Sequence, residues 1–96
     1  MLQIRPICEN CGNHLPPDSA EAMICSFECT FCSGCVSNIL QNVCPNCGGG
    51  FEKRPVRPKE KLLKSPATTE NIFKPVAMNS FQSLLIKNKD IPPQER

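Results

Sequence analysis

The 96-residue chain contains no tryptophan and no tyrosine; its aromatic residues are five phenylalanines. It therefore lacks the row of stacking side chains with which many proteins hold single-stranded nucleic acid. Long apolar runs are missing too, and stretches such as Leu84–Ile86 fall far short of the roughly 18 residues that a membrane span requires. The opening segment, Met1 to Cys8, shows no basic n-region, no apolar h-region and no small-residue cleavage site, so no membrane association and a cytoplasmic location are expected. Length excludes any large enzyme fold and admits one small domain. Hydrophobic residues make up 40% of the chain, but eight of them are cysteines, and only sixteen others lie in the first 51 positions. Burial at about 25 cal/mol per Å² against about 1.5 kcal/mol of ordering entropy per residue comes out near zero for so short a segment, so a covalent or metal staple is needed.

The eight cysteines are the staple, and all lie in the N-terminal half. They form four pairs: Cys8-x2-Cys11, Cys25-x3-Cys29, Cys32-x2-Cys35 and Cys44-x2-Cys47. A two-residue gap lets one tight turn aim both thiolates at a single tetrahedral ion, and backbone N–H groups of that turn can support the sulfurs. Gly12 and Gly48 directly follow such pairs, where the chain must leave through positive φ, and Pro45 suits the turn it opens. In a reducing compartment paired cysteines read as metal ligands or catalytic thiols before disulfides. His14, three residues after Cys11, is an alternative donor, but eight thiols already fill two tetrahedral sites and leave it spare.

Charge divides the chain at the same place. Residues 1–51 set Arg5 against four acids for a net of −3, while residues 52–96 carry ten basic and five acidic residues for a net of +5. Eight metal-bound thiolates and two divalent cations would take the first part to −7 and the whole chain to −2. The metal-loaded module would then be acidic and would repel a phosphate backbone.

Local pattern places the cysteines on elements. Asn13–Ser19 is loop chemistry, with Asp18 and Glu21 able to cap one short helical turn. Met23, Ile24, Phe27, Thr30 and Phe31 favour a small hairpin that carries Cys25 and Cys29. Val36, Ile39, Leu40 and Val43 fall at i, i+3, i+4 and i+7, one apolar stripe of a helix of two to three turns. Gly49 and Gly50 allow a sharp exit into a last strand near Phe51–Arg54. Beyond Arg54, prolines at 55, 58, 66, 75, 92 and 93 interrupt a lysine-containing stretch, and residues 59–76 are expected to be mostly disordered. Met78, Phe81, Leu84, Leu85 and Ile86 form an amphipathic island too short to be helical without a supporting surface.

The order of these features, a pair, a long loop, two closely spaced pairs, a helix and a fourth pair, resembles the RING and treble-clef class of double zinc fingers. What that resemblance implies is cross-brace ligation of two structural Zn2+ ions. Site 1 would be Cys8, Cys11, Cys32 and Cys35; site 2 would be Cys25, Cys29, Cys44 and Cys47. Sequential pairing into two loosely joined knuckles is the alternative, and spacing alone does not decide connectivity. The stretches Leu15-Pro-Pro-Asp-Ser19, Ile24-Cys-Ser-Phe-Glu-Cys-Thr-Phe-Cys32, Cys44-Pro-Asn-Cys-Gly-Gly49 and Arg54-Pro-Val-Arg-Pro58 also resemble a family of short bacterial cysteine-rich proteins known as a domain of unknown function. That resemblance covers about residues 3–58, implies a bacterial setting and lends no activity.

The expected fold is thus a small metal-stabilised α+β module, a RING-like double zinc finger with a short β-hairpin and one short helix. It occupies residues 1–58, and a flexible, mostly disordered tail over 59–96 carries a short amphipathic helix near 77–87. Closed four-thiolate sites leave no position for water or substrate, so the expected role is binding another protein, without catalysis. Three alternatives stand beside it. A nucleic-acid role would use Lys53, Arg54, Arg57, Lys59, Lys61 and Lys64 as an electrostatic arm, although a solvated linker explains that run as well. A zinc store or thiol redox switch would show labile metal. Ubiquitin-ligase-like recruitment, implied by the RING resemblance, would use an aliphatic residue in the first pair, a bulky residue after the helix and a proline in the last pair. Here Glu9 and Asn10 stand in the first pair, tryptophan is absent, Gly48 replaces the usual basic residue, and Pro45 alone matches. An iron–sulfur cluster would need a fourth cysteine with three residues between it and Cys35, whereas eight residues separate Cys35 from Cys44.

Overall fold

The β-favouring residues around the second cysteine pair pair up as an antiparallel hairpin, strands β1 (Ala22–Ile24) and β2 (Thr30–Cys32). Its register sets Ala22 opposite Cys32, Met23 opposite Phe31 and Ile24 opposite Thr30. In the computed structural model, which describes residues 1–96, a third strand β3 (Glu52–Lys53) joins the free edge of β1, giving the order β2-β1-β3. β1 is therefore the central strand of a three-stranded antiparallel sheet. Phe31 and Phe51 meet edge to face at 5.4 Å and 75° beneath it, the geometry aromatic quadrupoles favour. Around that pair Leu15, Ala22, Val36, Leu40 and Val43 close a core that also takes in six of the eight cysteines. The loop before β1 holds turns at Ser19 and Glu21, whose N–H groups bond Pro16 O and Ser19 Oγ, and no helical turn.

Strand β2 runs straight into α1 (Ser33–Cys35), and the helix widens at once into a five-residue π-helical segment, Val36–Leu40. This corrects the expected apolar stripe. The i→i+5 spacing keeps Val36 and Leu40 in the core but swings Ile39 out to 36% exposure. The helix then stops at Gln41 and Asn42, both left-handed, with φ of 48° and 60°. Val43 reaches the core from that turn, its N–H donating to Leu40 O at 3.0 Å.

The segment 59–96 is not disordered, and the sequence-based expectation is corrected here. It contains α2 (Lys59–Leu62), α3 (Met78–Asn88) and a closing 3-10 turn (Pro93–Glu95). Phe81 and Leu85 of α3 are buried in the core cluster, with Val76 and Leu84 packed against it. The strap that precedes α3, residues 63–77, is tied by its backbone: Lys74 N donates to Glu9 O at 2.7 Å, and Val76 N to Asn10 Oδ1 at 2.9 Å. Arg96 Nη1 closes the chain on Asn42 O and Gly48 O at 2.8 and 3.2 Å. The approach depends on missing side chains. A Cβ on Gly48 would stand 2.9 Å from Asn88 Nδ2, and one on Gly12 would touch the Phe73 ring at 3.4 Å. Prolines and charges made the stretch read as solvated chain, and an eleven-residue helix is marginal in isolation. The surface that stabilises it is tertiary and leaves no local mark. No helix is long and apolar enough to cross a membrane.

Two arginines lock the remaining segments. Arg54, buried beside β3, donates from Nη1 to Arg5 O at 2.9 Å and from Nη2 to Leu15 O and Pro16 O at 3.2 and 2.7 Å. Arg57 bonds Leu2 O and Ser65 O at 2.6 and 2.7 Å. The N-terminal segment, the proline loop and the strap are thereby held by cations that bond carbonyls. Replacing Phe81 with alanine should destabilise the protein by about 3 kcal/mol, the usual cost of emptying a buried phenylalanine site. The exposed neighbour Ile86→Ala should stay within about 0.5 kcal/mol. Equilibrium chemical denaturation of both variants checks the difference, and equal midpoints would contradict the docked helix.

Candidate metal centre

Two turns of the same construction present the first and fourth cysteine pairs. In one, Gly12 N donates to Cys8 O at 3.0 Å; in the other, Gly48 N donates to Cys44 O at 2.8 Å. Both glycines have φ of +78°, which side chains other than glycine adopt at a cost. An isolated bridge between Ile7 and His14 closes the ribbon around the first turn. The third pair lies at a strand-to-helix junction: Cys32 ends β2 and Cys35 lies in α1. The second pair flanks the tip of the β1–β2 hairpin, where Glu28 N bonds Cys25 O at 2.9 Å and Cys25 N bonds Cys29 O at 3.2 Å.

The fold brings the first and third pairs together. All four sulfurs of Cys8, Cys11, Cys32 and Cys35 lie within 4.8 Å of one another. Cys8 and Cys35 are 3.9 Å apart and Cys11 and Cys32 3.7 Å. A tetrahedral ion with metal–sulfur bonds near 2.3 Å requires sulfurs about 3.8 Å apart, so this donor set fits one. Cys25, Cys44 and Cys47 form a second group within the same limit. Cys29 is buried beside Cys25 and the Asn46 amide but falls outside the three-thiol group. The pairs are interleaved along the chain, and the sequential arrangement, in which Cys8 and Cys11 would meet Cys25 and Cys29, is not the one adopted. His14 is exposed and belongs to neither group. All eight thiols are free of disulfides.

Without a cation four of these thiols, Cys11, Cys29, Cys35 and Cys44, resist ionisation. Burial raises the Cys35 thiol to about 12, with the Asn10 amide opposing and the neighbouring sulfurs adding to it. Burial likewise raises Cys11, Cys29 and, far above the usual thiol range, Cys44. Cys8 is the exception: burial pushes it up, but the N–H groups of Cys11, Cys32 and Asn10 together bring it below its ordinary value. A cation entering either group therefore displaces protons.

Residues between the cysteines complete the surroundings, and sequence reasoning passed over them. The Glu9 carboxylate is buried and accepts from Thr30 N at 2.9 Å, Arg5 Nη1 at 3.1 Å and Asn46 Nδ2 at 3.3 Å. It thus ties the first turn to the fourth. Asn46 Oδ1 in turn accepts from Lys74 Nζ at 3.1 Å. Asn10 donates from Nδ2 to Cys35 Sγ at 3.4 Å while its Oδ1 holds the strap. Their position between ligand-type cysteines was the available signal, since groups that orient metal ligands recur there.

The geometry defines a class: a small α+β domain with two cysteine clusters that could hold metal ions. Residues 1–57 match the family described as "Protein of unknown function (DUF1272)", and the chain belongs to that family. Among relatives, the "Uncharacterized protein R02474" of Rhizobium meliloti (strain 1021) is 57% identical over 75 residues, covering 78% of this chain and 89% of the relative. No solved structure matches the chain.

Because each raised thiol must lose its proton to bind a cation, metal affinity should fall as pH falls. The expected slope is about tenfold per pH unit for each proton displaced. Competition against a chelator of known affinity between about pH 8 and pH 6 measures it, and a flat profile would contradict thiolate ligation.

Proposed function

We propose that the protein is a structural zinc module that binds another protein and carries out no catalysis. Two Zn2+ ions are held in cross-brace fashion, one by Cys8, Cys11, Cys32 and Cys35 and one by Cys25, Cys29, Cys44 and Cys47, in a RING-like, treble-clef arrangement. The observation that carries this reading is the interleaving of the cysteine pairs at sulfur–sulfur distances of 3.7 and 3.9 Å, the spacing of a tetrahedral thiolate site. Zinc suits it because four soft thiolates in a tetrahedron match a d10 ion with no redox chemistry of its own. A four-thiolate shell has no open position, so the metal orders backbone and activates no nucleophile.

The free thiols support a reducing, cytoplasmic setting. A protein partner is supported by charge and by the fate of the arginines. Arg54 and Arg57 direct guanidinium N–H groups to backbone carbonyls, which takes those donors away from the phosphate contacts that a nucleic-acid role of the basic run would use. Phe27 stands 72% exposed at the tip of the hairpin between Cys25 and Cys29, a rigidly mounted apolar contact of the kind protein interfaces use.

Native mass spectrometry of the full chain, expressed without a metal-binding tag, should show two zinc ions per colourless molecule. Removing them with a strong chelator should abolish the cooperative fold, because structural zinc supplies on the order of 10 kcal/mol of apparent folding free energy. Iron with sulfide, or a chain that stays folded without metal, would overturn the reading.

A further inference from the structure

We infer that the two metal positions are unequal: the ion at Cys25, Cys44 and Cys47 is exchangeable, with Cys29 a weak fourth donor that a small external thiol replaces, whereas the ion at Cys8, Cys11, Cys32 and Cys35 is permanent. This rests on the two-zinc reading and deepens it.

Solvent access does not distinguish the clusters. Each has one exposed cysteine, Cys11 in the first and Cys47 in the second, with the others buried. Donor number does distinguish them. Four sulfurs of the first cluster already lie within 4.8 Å of one another, while the second gathers three. The fourth donor, Cys29, is carried by a hydrogen-bonded loop and lies outside the three-thiol group. Cys29 follows the hairpin tip, and the intervening three residues place Glu28 in the left-handed region at φ 65°, a conformation unfavourable for glutamate. That loop is pinned from several sides. Glu28 Oε1 accepts from Gln3 N at 2.7 Å, Cys29 O accepts from Cys25 N at 3.2 Å, and Thr30 N is bound to Glu9 Oε2 at 2.9 Å. These three bonds fix the backbone that carries the Cys29 side chain, so its sulfur approaches Cys44 and Cys47 by side-chain rotation alone. The first cluster needs no such rotation, and the Asn10 amide already supports Cys35 there.

Three thiolates leave one position of a tetrahedron for a fourth donor, and beside the exposed Cys47 an incoming thiol can fill it. In that exchange the external thiol gives up its proton and binds as thiolate, while Cys29 leaves the ion and takes a proton; no electron is transferred.

The test uses the full chain loaded with two zinc ions and treated with EDTA, followed in time by native mass spectrometry. At the one-metal stage, alkylation with N-ethylmaleimide and peptide mapping identify the freed thiols. Release should occur in two steps whose rates differ by about tenfold or more, with Cys25, Cys29, Cys44 and Cys47 labelled first. Glutathione at millimolar concentration should appear as an added mass on the two-zinc form. Cys29→Ser should still bind two ions, whereas Cys44→Ser should bind one. Equal release rates, labelling of the Cys8 group first, no glutathione adduct, or a Cys29→Ser chain limited to one ion would each overturn the inference. A wild-type chain that never carries two zinc ions would instead overturn the reading beneath it. The labelling is done on the unaltered protein, so a variant that fails to fold does not decide the matter.

Discussion

Four sulfurs meet within 4.8 Å of one another although their two pairs lie more than twenty residues apart in the chain, and the rest of the fold accommodates that requirement. Cys8 reaches Cys35 and Cys11 reaches Cys32 across separations of 27 and 21 residues. The sheet between them has strands of only two or three residues, too short for independent stability. It works as a spacer that sets Cys32 opposite Ala22 and delivers Cys35 one helical turn later. Interleaving then makes the hairpin common to both clusters: Cys25 precedes its tip and Cys32 closes its second strand. Neither cluster can form without fixing an element that the other needs.

Polar groups carry an unusual share of the packing for so small a core. Arg54 is the largest of the fully buried side chains, and burial lowers the tendency of its guanidinium to hold a proton. Three carbonyl bonds offset that cost, while Nε remains without a partner. Glu9 plays the matching part on the other side, a buried carboxylate satisfied by an arginine, a backbone N–H and an amide. Both residues do what a larger hydrophobic core does by volume: they join segments that share no regular hydrogen bonding. The cost of burying such groups is tolerable because each has several donors or acceptors aimed at it.

What could be read from the chain divides along physical lines. Cysteine spacing and the two glycines after it were legible because a turn of four or five residues is local, and Gly12 and Gly48 indeed carry the same positive φ. The hairpin was legible from its β-branched and aromatic residues. The end of the helix was not, since the π widening and the left-handed Gln41 and Asn42 depend on how the chain must return toward Cys44. Residues 59–96 were misread for a stronger reason. Their composition is that of solvated chain, and the contacts that order them, Lys74 on Glu9, Val76 on Asn10 and Phe81 in the core, are all long-range. Arg54 and Arg57 looked like part of a basic run; partners 38 to 55 residues away turned them into clamps.

The strap gives those clamps a further meaning. It touches the first cysteine turn through Phe73 on Gly12, and α3, which follows it, touches the fourth through Leu84 and Asn88 on Gly48, so strap and helix together rest on both turns. The strap's backbone is held by Glu9 and Asn10, the two residues enclosed by Cys8 and Cys11, and its lysine by Asn46, enclosed by Cys44 and Cys47. Any displacement of either turn would therefore be felt at the same strap, and the strap in turn restrains both. Clusters that share a hairpin on one side and a strap on the other are coupled twice through packed, hydrogen-bonded structure. The C-terminal segment is in this sense part of the metal-bearing architecture, although it contributes no cysteine to it.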